Sequence, residues 1–224
     1  METAIPFSQK LYFLAIHPEK GGINSWSFNA IDYVLIGSLF MELYLQKKLR
    51  FENKRIVVLD AKSDHPLYRY MLGKMSRSKS PRKISTWISR FHINMKFIRK
   101  EVEKDMIGKR LIRMEPKRFL FFKWTKPYVF NKKVINQLVR EVQDQIMQGT
   151  SVEEELILLS FIEPGGLHYR LFPERQKRRE ARKRLKQMMV GNRVSAAVAD
   201  AISAAQAVAA SVAVTAAASS TATS

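Results

Sequence analysis

The chain has 224 residues, 46% of them hydrophobic, which suits one large domain with a packed core or one domain plus a tail. Its 39 Lys and Arg against 20 Asp and Glu give a formal net charge of +19, an excess that attracts nucleic acid, anionic lipid head groups or acidic protein, although a well-solvated basic surface explains charge alone equally well. With no Cys, disulfides and thiolate metal sites are excluded.

Residues 1–16 lack the basic start and small-residue cleavage site of a secretory leader, so none is expected. Ser8 is placed to N-cap a helix over 8–16, with Leu11, Phe13 and Leu14 facing inward. His17, Pro18 and Gly21-Gly22 mark a loop. A second helix is predicted from Ser25 or Ser27 to about Leu49. Its apolar residues (Ile31, Val34, Leu35, Leu39, Leu43) nearly encircle it, as in a central buried helix, and Asp32 and Glu42 argue against a membrane span. Alternation over 49–52 and 55–60, with Asn53-Lys54 between, predicts a strand pair. Pro66 opens a helix to Met75, and 76–83 reads as a polar basic loop. A short helix follows over 84–91, then a basic helix over 95–107 with Met95, Ile98, Val102 and Met106 as its buried stripe. A β-hairpin is predicted over 110–124, turning at Glu115-Pro116-Lys117-Arg118. Helices over 134–147 (apolar at Val134, Leu138, Val142, Ile146), 152–161 and 173–189 complete the pattern, with Pro164-Gly165-Gly166 breaking the chain between the last two. The fold class is therefore mainly α: a single helical domain with a projecting β-hairpin over 1–193, and an Ala/Ser-rich C-terminal helix or tail over 194–224.

Catalytic signatures are not found. His17, His65, His92 and His168 are scattered, no Walker loop or Gly-x-Ser-x-Gly elbow occurs, and Glu153-Glu154-Glu155 reads as the acidic first turn of a helix. No enzyme activity, cofactor or metal is expected. The informative stretch is 96–126. Lys96, Arg99, Lys100 and Lys104 lie on the basic helix, and Lys109 and Arg110 lead into Phe119-Leu120-Phe121-Phe122 and Trp124. Interleaved cations and aromatics suit a surface that docks on an anionic interface, because Lys and Arg meet phosphates while Phe and Trp enter an apolar layer. Strand alternation would bury half of Phe119, Leu120, Phe121 and Phe122, yet all four are apolar. Their partner is a protomer, a bilayer or the domain's own core, and core burial of at least two is expected.

The order and spacing of several segments carry a resemblance. Leu11-Tyr12-Phe13-Leu14 is followed by Glu19-Lys20-Gly21, then Gly37-Ser38-Leu39-Phe40-Met41-Glu42-Leu43 and Lys62-Ser63-Asp64. Next come Ile84-Ser85-Thr86-Trp87-Ile88, the basic helix, and Phe119-Leu120-Phe121-Phe122 before Lys126-Pro127. From Leu11 to about Gln148 the chain resembles the Golgi phosphoprotein 3 family of phosphatidylinositol 4-phosphate-binding Golgi adaptors and their bacterial relatives. The resemblance implies a helical domain whose shallow pocket, on a flat basic face, binds a phosphoinositide head group, and whose apolar hairpin tip aids bilayer insertion and self-association. Eukaryotic members also hold glycosyltransferase tails for coatomer-coated vesicles. Two basic pocket positions fall on Lys96 and Arg99, one helical turn apart. The pocket Trp falls at Ser27, with Trp26 one position before it, and the pocket Arg falls at Ile36, a departure that removes a phosphate ligand.

The expectation is a non-catalytic peripheral membrane protein on the cytosolic face of a membrane, cytoplasmic otherwise. Lys96, Arg99, Trp26 and Ser27 would bind anionic lipid head groups, a phosphoinositide among them. Phe119, Leu120, Phe121 and Phe122 would insert into the bilayer or join protomers into a homo-oligomer, and protein cargo tails are further partners. The alternatives are a nucleic-acid-binding protein whose basic hairpin acts as a wing, and a protein-tail scaffold without lipid binding.

Overall fold

Helix α2 (Ile31–Leu45) is the axis around which the chain packs. Apart from Asp32, every residue from Ile31 to Leu43 is buried, as its all-round apolar pattern requires. This computed structural model describes residues 5–191 together with Ala207, so the predicted Ala/Ser-rich segment over 194–224 otherwise lies outside the described residues. The helix starts later than Ser25 or Ser27. Residues 24–30 form successive turns instead, with the Ser27 N–H donating to the Asn24 carbonyl (3.0 Å) and the Ala30 N–H to the Ser27 carbonyl (3.1 Å). It also ends sooner, because Lys47 takes a left-handed φ of 57° and the Lys48 N–H turns back to the Leu43 carbonyl at 2.9 Å.

Helix α1 (Phe7–Ala15) lies against α2 with Leu11, Phe13 and Leu14 fully buried. Ser8 sits inside its first turn and caps nothing. Its backbone N–H donates to the buried Glu42 carboxylate (2.7 Å), which also accepts from the Tyr68 hydroxyl (2.9 Å). That carboxylate ties α1, α2 and α3 (Pro66–Ser76) together, and burial raises its pKa although its hydrogen bonds oppose the shift.

Strands β1 (Leu49–Glu52) and β2 (Arg55–Val58) form the predicted pair, the second ending two residues sooner, around Asn53 (φ 49°) and Lys54 (φ 60°), a turn in which both central residues are left-handed. A third strand, β3 (Arg82–Lys83), joins β2 inside the segment that reads as a loop; two residues are too few to show alternation. Helices α4 (Ile84–His92) and α5 (Met95–Gly108) follow, and α5 buries the expected stripe of Met95, Ile98, Val102 and Met106.

The projecting hairpin is longer than predicted and turns elsewhere. β4 (Ile112–Phe119) and β5 (Phe122–Val129) pair from Ile112↔Val129 to Phe119↔Phe122, so the turn is Leu120-Phe121, and Glu115-Pro116-Lys117-Arg118 lies within β4. In a two-stranded ribbon both strands are edges, where a proline without an N–H is tolerated. Leu120 holds the turn at φ 52°, a conformation that no glycine or asparagine in the sequence announces. Phe119, Leu120, Phe121 and Phe122 are 66%, 67%, 92% and 71% exposed, which overturns the expectation that two of them enter the core. Only the base of the ribbon, at Ile112, Pro127 and Val129, is buried.

Helix α6 (Lys132–Gln148) is capped by the Asn131 side chain and stopped by Gly149, and it buries Ile135 where Val134 was expected. Helices α7 (Glu153–Ser160), α8 (His168–Leu171) and α9 (Arg175–Gly191) close the fold over α1 and α6, α7 opening with the three glutamates at its positively polarised end. The Arg184 guanidinium of α9 binds the Met147 carbonyl near the end of α6.

Candidate functional site

Side-chain contacts define which helix ends meet. The Tyr12 hydroxyl donates to Glu103 and the Lys109 ammonium to Gln9 (3.0 Å), so α1 and α5 run antiparallel. Asp32 meets Arg99 near the starts of α2 and α5. Toward their other ends, Glu42 binds Tyr68, next to the His65–Asp105 pair (2.7 Å). These two helices therefore run parallel. One end of the molecule accordingly gathers the starts of α2 and α5, the exits of α1 and α4, and the loop over 16–30.

At that end Lys96 is exposed and has no ion pair among the described residues. Arg99, one turn on, is already engaged. Its Nε donates to Asp32 Oδ1 at 2.6 Å, its Nη2 lies at the same distance from that oxygen in the ion pair, and the second oxygen of Asp32 lies 3.8 Å from His92 Nε2. The His92 ring stacks on Tyr33 at 4.5 Å, which clamps the end of α4 to the start of α2. Burial, reinforced by the Asp32 charge, raises the Tyr33 pKa. Among the described residues, Lys96 thus stands without an ion pair while Arg99 is held by a carboxylate of the chain itself.

Trp26 and Ser27 part company. Trp26 is half exposed and lies 5.7 Å from the Tyr169 ring, over which the Arg178 guanidinium sits at 4.7 Å. Ser27 is fully buried and its hydroxyl has no hydrogen-bond partner among the described residues. The backbone of Trp26 is pressed by Gly166, where an added Cβ would stand 2.3 Å from the Trp26 carbonyl oxygen. Arg170 anchors α8 to the exit of α1 by donating to the Leu14 (3.2 Å) and Ile16 carbonyls, and burial lowers its pKa to about 10. Ile36, where the resemblance expects an arginine, is fully buried in the core.

The hairpin leaves the body beside the loop that follows α1. The Gly22 N–H donates to the Pro127 carbonyl at 2.7 Å, and Gly21 lies under the Tyr128 ring, where a Cβ would approach within 2.7 Å. From there to Phe119↔Phe122 the ribbon runs on for roughly 17 Å, at about 3.4 Å per residue. Lys117 and Lys126 flank Tyr128 at 5.0 and 6.0 Å, and Arg118 and Lys123 pair directly behind the apolar turn. Lys117 and Arg113 hold the Glu115 carboxyl below its usual range, so the acid in this ribbon stays charged and paired.

Of the residues expected to form the site, Lys96, Arg99 and Trp26 lie at or next to the gathered helix starts, Ser27 points into the core, and Phe119 to Phe122 form a separate tip. Asp32 as the partner of Arg99 was missed; an acid in the first turn of an otherwise apolar helix was the available signal. Tyr169 and Arg178 beside Trp26 carry no local signal at all.

Fold and site define a class: a helical domain with a basic, apolar-tipped β-ribbon and an exposed cationic helix start. The family profile of Golgi phosphoprotein 3 (GPP34) matches residues 7–205, and the chain belongs to that family. No helix among the described residues is long and apolar enough to cross a membrane, and the described residues contain no cluster of three or more His, Asp or Glu able to hold a metal ion.

Proposed function

We propose that this chain is a non-catalytic adaptor that binds peripherally to the anionic, cytosolic face of a membrane. The carrying observation is the hairpin tip: four consecutive apolar residues stand out in solvent, backed by Arg118 and Lys123. Exposing such a patch to water raises the free energy of a monomer, whereas a bilayer buries Phe and Leu and its phosphates meet the flanking cations. Lys96, with Arg99 one turn on, supplies the head-group contact, and Trp26 forms its apolar rim over the buried Ser27. With Ile36 in the core in place of an arginine, the site fits anionic head groups generally, a phosphoinositide among them, better than one dedicated lipid. Each exposed cation near such a surface contributes on the order of 1 kcal/mol, so binding weakens as salt rises. Self-association through the same tip is a second reading that its exposure also favours. Protein cargo tails would be carried by the membrane-bound form.

Flotation with phosphatidylcholine vesicles, with and without phosphatidylserine or phosphatidylinositol 4-phosphate, tests the reading. Wild type should float with acidic vesicles only. Lys96→Ala should lower binding about fivefold, and Phe121→Asp should abolish it without a change in Tm. Equal binding to neutral vesicles, or tight binding to duplex DNA with none to acidic vesicles at the same salt, would overturn it.

A further inference from the structure

Two strongly exposed apolar side chains stand away from the hairpin. Phe28 is 61% exposed, in the turn that leads into α2, and Ile93 is 82% exposed, in the turn between α4 and α5. The turns are neighbours: His92, next to Ile93, stacks on Tyr33 and approaches Asp32, four residues beyond Phe28. Neither side chain is needed by the core, and both turns are closed by backbone hydrogen bonds, Phe28 N–H to the Ser25 carbonyl (3.4 Å) and Asn94 N–H to the Phe91 carbonyl (2.9 Å).

We infer that Phe28 and Ile93 are a second bilayer-insertion point, separate from the hairpin tip, which brackets the cationic start of α5. The inference rests on the membrane reading above and adds to it the residues that fix how the molecule sits on the bilayer. Charge complementarity selects the occupant. Lys96 and Lys100 are exposed on the helix that Ile93 precedes, while Asp32, the carboxylate at this spot, is already held by Arg99. Shape points the same way. Single residues projecting from turns suit a fluid apolar layer, whereas a folded partner needs a broad patch or a groove. Ser25 and Asn29, exposed around Phe28, suit the hydrated head-group layer above the insertion depth. Two insertion points, one on the ribbon and one on the body, hold the body against the membrane, where the ribbon alone would leave it to swing.

Because the chain has no Cys, single cysteines report cleanly. Phe28→Cys, Ile93→Cys, Phe121→Cys and Lys62→Cys, each carrying a polarity-sensitive fluorophore, are mixed with phosphatidylcholine–phosphatidylserine vesicles containing nitroxide-labelled lipid. Lys62 is the control, at the far end of α2, where Lys48 pairs with Asp60. Blue shift and nitroxide quenching at positions 28, 93 and 121, with none at 62, are the expected result. A response at 121 with none at 28 and 93 would overturn this inference and leave the proposed function standing; no response anywhere, with no flotation, would remove both. A blue shift at 28 and 93 that needs no vesicles and follows protein concentration would show a contact between copies and also overturn the inference. In the unlabelled protein, Phe28→Ser with Ile93→Ser should weaken vesicle binding about tenfold at any salt, with Tm unchanged; full binding by that variant refutes the anchor.

Discussion

Asp32→Asn should make the protein bind acidic membranes more tightly. In the wild type, Arg99 is ion-paired to Asp32, with Nε donating to one carboxylate oxygen at 2.6 Å, so the carboxylate offsets the charge that a lipid phosphate would otherwise meet in full. Neutralising Asp32 raises the local charge by one unit. At an anionic surface that is worth on the order of 1 kcal/mol, or about fivefold in the partition coefficient. The stability cost is small, because the asparagine carbonyl still accepts from Arg99; a loss of about 1 kcal/mol is expected. Titration with phosphatidylserine vesicles at low and high salt measures the gain, which shrinks as salt rises. In an Arg99→Ala background the charge change is the same, so a gain of similar size must persist there if net charge is its source. Weaker binding by Asp32→Asn at unchanged Tm would refute the reasoning and mean that the carboxylate aims Arg99 at the lipid.

Gly166→Ala should destabilise the fold by about 1–3 kcal/mol, because the residue is at φ 67° and its Cβ would overlap the Trp26 carbonyl; an unchanged Tm would contradict that packing. Arg170→Met leaves the Leu14 and Ile16 carbonyls without this donor and should cost about 2 kcal/mol in urea denaturation, whereas a neutral result would show that water replaces it. Glu42 has a folded-state pKa above its usual value of 4.5, so the stability it contributes is present below that pH and is lost as pH rises through the folded value. Glu42→Gln does not titrate and places an amide N–H against either the Ser8 N–H or the Tyr68 hydroxyl. Its deficit relative to wild type should be largest near about pH 4 and shrink toward neutrality, and a deficit that widens with pH would reverse the assigned shift.

Elements governed by near neighbours in the chain are legible in the amino-acid order. The four-residue stripe of α5, the all-round apolar α2 and the Asn53-Lys54 turn each follow from periodicity or turn chemistry within a dozen residues, and the segments shared with the Golgi phosphoprotein 3 family are recognisable in sequence. Pro116 misleads because proline usually marks a turn. Whether it can stand in a strand depends on that strand being an edge, which is a property of the sheet.

By itself, then, the sequence determined a basic, mainly helical domain, a cationic helix and an apolar segment on a ribbon. Tertiary structure alone decided that all four tip residues are outside, that Ser27 is buried while Trp26 is not, and that Arg99 is held by a carboxylate 67 positions away. The reason is physical. Helix and turn formation draw on interactions within a few residues, whereas exposure and ion pairing depend on which distant surfaces come to rest together.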